Sequence, residues 1–210
     1  MIDPSNTLSP TASQHYRILK ETADCHAALG QPERAEDFYR QAAAIQPELP
    51  DAHVGLAVLY LQTERHEESE QAFRAAVQLE PRCAEALAGL AMIHQRNGNA
   101  TAAFEMYLKC LELDTDNLVA LLGLFQTSCE MGSFAKIIHY LEIYLERHPG
   151  DTSVLFCLAT LQAREGQLEQ AHSRLLDVLA LEPDKAEAIE LLQQVEDALP
   201  ATLPAGGVRR

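Results

Sequence analysis

The stretch "AFRAAVQLEPRCAEALAGLA", residues 72–91, decides the fold. Ala72, Phe73, Ala76 and Val77 share one face at helical spacing. Pro81 then ends that helix, because proline lacks an N–H and its ring clashes with the preceding turn. A second apolar-periodic segment follows at once. The same helix–proline–helix phrase occurs upstream as "DFYRQAAAIQPELPDAHVGLA", residues 37–57, and downstream as "RLLDVLALEPDKAEAIELL", residues 174–192. Pro47, Pro81, Pro149 and Pro183 fall at multiples of 34 residues, with Thr115 in the one missing place. A period of this size marks a stacked array, in which no single unit buries its apolar face without its neighbours.

Working outward from that phrase divides the chain into five units without insertion or deletion: 16–49, 50–83, 84–117, 118–151 and 152–185. Each has a first helix, A, and a second, B. Gly30, Gly98, Gly132 and Gly166 stand in the A–B turn, where a left-handed residue is easiest for glycine. Residues 186–199, "AEAIELLQQVEDAL", set Ile189, Leu191, Leu192 and Val195 against an acidic side and are expected to form a capping helix. Residues 1–15 form an N-terminal extension, and 200–210 are expected to be a disordered tail rich in Pro and Gly. Where A and B cross, small residues pair: Ala23/Ala35, Ala57/Ser69, Ala91/Ala103 and Ala159/Ala171. The fourth unit carries Phe125/Ile137 instead, so the array is expected to lose its regular spacing there.

Composition agrees with an all-α protein. The chain is 47% hydrophobic, has no Trp and is dominated by Ala and Leu, the strongest apolar helix formers. Its net charge of −15 argues against nucleic acid, whose phosphates need a basic surface, and against an anionic membrane face. No run of apolar residues is long enough to span a bilayer. "MIDPSNTLSPTAS" has no basic region followed by an apolar run, so no signal peptide is expected. Five scattered cysteines, odd in number and without a CxxC, fit a reduced, cytoplasmic setting.

These units resemble the tetratricopeptide repeat (TPR) family. The first half of the family phrase stands as His53-Leu56-Ala57-Tyr60 and Leu87-Leu90-Ala91-His94, and less fully as Leu155-Leu158-Ala159-Gln162. The second half stands as Ala35–Tyr39–Pro47, Ser69–Phe73–Pro81, Ala103–Tyr107, and Ala171–Pro183 with Leu175 in the aromatic place. The resemblance spans residues 16–185 and implies a right-handed α-solenoid.

Chemistry leaves few traces. "HEESE" at residue 66 lacks the second His of a zinc motif, and no Gly-rich phosphate loop occurs. Cys25 and His26 are neighbours on a helix and point about 100° apart, so they cannot converge. No catalysis, cofactor or metal is expected. The resemblance instead directs attention to the inner wall of the array. By register with the family it holds Val54, Val58 and Leu61, then Ala88, Met92, Gln95 and Arg96, then Leu122 and Gln126, and finally Phe156 and Arg164. Val119 belongs to the same wall. The family's clamp for a peptide's C-terminal carboxylate is not matched. Lys20 holds one of its places, but Val58, Met92 and Gln126 stand where amide or basic residues are needed.

An apolar wall with polar edges suits an amphipathic helix or an extended hydrophobic peptide. The resemblance thus implies a non-catalytic scaffold or adaptor that binds a protein segment in its groove. A regulatory or substrate-docking module of an enzyme or secretion assembly encoded nearby is the alternative.

Overall fold

The computed structural model of the chain describes residues 10–199. Among them the chain is helical throughout, with no strand. It divides into two compact units, residues 10–131 and 132–199.

The first unit holds α1 (Pro10–Ala28), α2 (Pro32–Ile45), α3 (Asp51–Gln62), α4 (His66–Leu79), α5 (Ala84–Arg96), α6 (Ala100–Leu113) and α7 (Leu118–Met131). Consecutive helices pack as pairs, and α1, α3, α5 and α7 also touch one another in order along one wall. The small pairs sit where the sequence puts them. Ala23, Ala35, Ala57, Ser69, Ala91 and Ala103 are all fully buried. The Ser69 hydroxyl donates to the Ala57 carbonyl at 2.8 Å, which satisfies a polar group at a crossing too tight for water. Large side chains fill the spaces between layers, with Phe73 and Tyr107 each only 1% exposed.

The second unit holds α8 (Ala135–Arg147), α9 (Thr152–Arg164), α10 (Leu168–Leu181) and α11 (Ala186–Ala198). Its core is built on Ile137, Leu141, Leu158, Leu161, Leu175 and Val178. The last helix covers α10 and α9 with Ala188 and Val195 buried and Leu191 and Leu192 half-buried. Ile189 does not join that face: it is 40% exposed. The buried stripe follows the i, i+4, i+7 spacing of Ala188, Leu192 and Val195, from which Ile189 is turned by about 100°.

Two departures from the sequence reading stand out. First, α1 begins at Pro10, so the extension adds more than a turn to the first helix. Its start is tied down: the Tyr16 hydroxyl accepts from the Ala52 amide at 3.2 Å, and Gln46 Nε2 reaches Ser13 Oγ at 3.4 Å. Second, the division into two units falls inside the fourth repeat, between α7 and α8, where the small pair is missing. The segment 200–210 and residues 1–9 lie outside the described residues.

Candidate interaction groove

The wall of A helices in the first unit is shaped by three glycines. Gly55, Gly89 and Gly123 lie one unit apart, and against each rests the aromatic ring of the preceding B helix: Tyr39, Phe73 and Tyr107. The ring can seat on bare backbone only because no Cβ stands in its way. This pulls each A helix close to the layer behind it and leaves its other face open.

Between α3, α5 and α7 that open face forms a depression of about 500 Å³. Met92, Val119 and Leu122 line it and remain 41%, 48% and 49% exposed. Leu61 adds an apolar edge from α3, while Ile93, Gly123 and Tyr107 form its base. Large apolar side chains gathered in one concavity, instead of scattered singly, are a feature of binding surfaces.

The polar part is a directed relay. The Tyr107 hydroxyl donates to Gln95 Oε1 at 2.9 Å, and Gln95 Nε2 donates to Gln126 Oε1 at 2.8 Å. Burial, with a smaller contribution from Cys110, pushes the Tyr107 phenol up to about 12. It therefore stays protonated and keeps its role as donor at neutral pH. That orientation engages both amide oxygens as acceptors and leaves the amide nitrogen of Gln126 as the end of the relay. Arg96 completes the rim. Its Nη1 meets Nδ1 of His66, and no carboxylate pairs with it among the described residues.

Seven residues singled out by register meet here: Leu61, Met92, Gln95, Arg96, Val119, Leu122 and Gln126. Val58 is 42% exposed on α3 but does not line the depression. Val54 is half-buried and packs on the core. Ala88, expected on the wall, is instead a core residue at 4% exposure, because α5 leaves open only the strip of Glu85, Met92 and Arg96. Phe156 and Arg164 belong to the second unit. Phe156 is half-buried, with Lys185 Nζ 5.9 Å from its ring centre, and Arg164 is exposed at the end of α9.

Tyr107 and Ile93 are not among the wall positions given by register, whereas Gly123, like Gly55 and Gly89, is the sixth residue of its unit. The pairing of an aromatic with a glycine sixteen residues later, seen three times, is the signal that would have found Tyr107.

Elsewhere the titratable groups serve the frame. Burial, followed by the nearby Asp114, pushes the Cys110 thiol up to about 12, so it carries no thiolate at neutral pH. His26 stacks on Phe38 with ring centres 5.3 Å apart and bonds through Nδ1 to Gln31 at 2.8 Å. Among the described residues no group of three His, Cys, Asp or Glu side chains is placed to hold a metal ion. No described helix is long and apolar enough to cross a membrane.

Family models described as tetratricopeptide repeat match residues 26–93 and 84–117. Among curated proteins none is significantly similar in sequence. Solved structures share the fold at low identity. PilF of Pseudomonas aeruginosa superposes with a TM-score of 0.73 at 20% identity, covering 90% of this chain and 86% of that one. YrrB, described as a TPR protein with an unusual peptide-binding site, gives 0.65 at 17% identity, covering 83% and 90%. The first TPR domain of Spaghetti (RPAP3), solved bound to the HSP90 peptide SRMEEVD, gives 0.54 at 23% identity, covering 58% and 98%.

Proposed function

For this tetratricopeptide repeat protein we propose a non-catalytic role as an interaction scaffold that takes an apolar peptide segment into the groove of its first unit. One observation carries the reading. Met92, Val119 and Leu122 stay between 41% and 49% exposed around one depression while the packing behind them is complete. Burying a large apolar side chain is worth roughly 1.5–3 kcal/mol, so completing the burial of three offsets much of the ordering cost of a short segment. Two of the similar proteins are described by peptide binding, which agrees with this use of the fold. None of the five cysteines is in a disulfide, which supports a reducing, cytoplasmic setting.

A photoreactive amino acid placed at Met92 tests the reading in the native host. Cross-linking from Met92 to a discrete partner, absent when the same group stands at the exposed Lys109 of α6, is the expected result. Equal cross-linking from both positions, or from Lys109 alone, would show that another face makes the contact.

A further inference from the structure

We propose that the groove of the first unit selects an apolar segment carrying an internal Asp or Glu side chain, whose carboxylate is received by Arg96 and the amide nitrogen of Gln126. The inference rests on the groove reading above and supplies its polar half.

The polarity of the site follows from the buried phenol. Tyr107 is 1% exposed, and the Gln95 oxygen is the acceptor for its hydroxyl. Turning the Gln95 amide over would present N–H to that hydroxyl and leave a buried O–H without an acceptor. Gln95 is therefore held with its nitrogen toward Gln126, and Gln126 in turn gives up its oxygen. The group of the pair left without a partner in the relay is the Gln126 amide nitrogen, a donor. Arg96 beside it is also donor-only, and its one partner here is the imidazole of His66, which brings no negative charge.

Arg96 therefore brings an uncompensated positive charge to the groove of a chain whose net charge is −15. Away from the groove some cations are neutralised within the chain, as Arg40 and Arg65 are by Glu36. At the groove the counter-charge is left for the ligand. The guanidinium of Arg96 disfavours a basic residue at this point of the groove. The strongly acidic surface outside the groove disfavours a ligand rich in carboxylates. Its repulsion is screened over about 10 Å at ordinary ionic strength, so one carboxylate at Arg96 is tolerated where a run is not. The occupant is thus an apolar segment with a single acid among neutral or basic neighbours.

The test is a selection of short random peptides displayed with their C-termini fused, so that side chains supply the only carboxylates, against the full-length protein. Winning peptides are then made with blocked ends and their affinities measured. The expected winners combine large apolar residues with one Asp or Glu. Replacing that acid by its amide, or Arg96→Gln in the protein, weakens binding about tenfold. The two changes together cost little more than either alone, because they remove one interaction. Met92→Glu removes binding of every winner. Winners that Met92→Glu rejects but that contain no acid, or lose nothing when the acid becomes an amide, would overturn the carboxylate inference and leave the groove reading standing. Winners indifferent to Met92→Glu, or no winners at all, would overturn the groove reading and this inference with it.

Discussion

The ring of Tyr107 occupies the space that a β-carbon on Gly123 would need. Phe73 stands in the same relation to Gly89, and Tyr39 to Gly55. These rings are almost wholly buried, so they have no free rotamer to move into. Gly123→Ala is therefore expected to destabilise the protein by about 1–3 kcal/mol, the usual cost of overpacking. Gly150→Ala is the control, since nothing lies within 4 Å of a β-carbon there. Urea unfolding of both variants checks this. Equal midpoints for the two would mean that the layers part easily and that the glycines do not set their spacing.

Glu64 holds the turn position that glycine holds in the other four repeats. Its φ is +61°, beside +67°, +75°, +66° and +76° at Gly30, Gly98, Gly132 and Gly166. The conformation is imposed by the helix end, where the Arg65 amide reaches back to the Tyr60 carbonyl at 2.8 Å. A side chain in this region costs about 1–2 kcal/mol, partly offset by the greater freedom of glycine in the unfolded chain. Glu64→Gly is expected to raise stability by about 1 kcal/mol, and Gly98→Ala to lower it by a similar amount. Thermal melts showing both variants unchanged would contradict the assignment.

Gln162 takes the place that Tyr60 takes in the second repeat. It is 3% exposed, and its Oε1 has no hydrogen-bond partner. An unsatisfied buried oxygen costs about 1–3 kcal/mol, whereas an apolar side chain of similar length would fill the same space without that loss. Gln162→Met is expected to raise the unfolding midpoint in urea. A fall would mean that the amide makes its bonds through water.

Glu36 gives the acid limb of the stability profile a definite origin. Burial alone would push its carboxyl up, but hydrogen bonds from Arg65 and Tyr60 and the charges of Arg40 and Arg65 together hold it below the ordinary carboxylate value. The distances are 2.6 Å to Arg65, 3.0 Å to Tyr60 and 2.6 Å to Arg40. Because the folded form holds this proton more weakly than the unfolded chain, the stabilisation is present above about pH 4.3 and is lost as pH falls further. Glu36→Gln should be less stable than wild type at pH 7 and should show a flatter decline between about pH 5 and 3. Parallel profiles would assign the acid sensitivity to other carboxylates.

The repeat was legible because it depends on features that act locally. Pro47 and Pro81 end helices, the apolar spacing marks a helical face, and Ala57/Ser69 can only be a close crossing. The extra turn of α1 was not legible, since it is held by Tyr16 and Gln46 across more than thirty residues. The groove was half legible. Register alone puts Met92 and Leu122 on the wall that lines the depression but cannot show that α5 is enclosed on the side of Ala88. The Tyr107–Gln95–Gln126 relay needs side-chain directions on three helices at once, which no single-helix pattern encodes.

Methionine methyl spectroscopy tests the central claim most directly. The chain has four methionines, and Met92 lies in the groove while Met131 is 42% exposed outside its lining. With the methyl groups labelled with carbon-13, titration with a displayed-library winner is expected to shift the Met92 signal in a saturable manner and leave Met131 unmoved. A saturable shift at Met131 with Met92 unchanged would contradict the account and move the binding surface away from the groove.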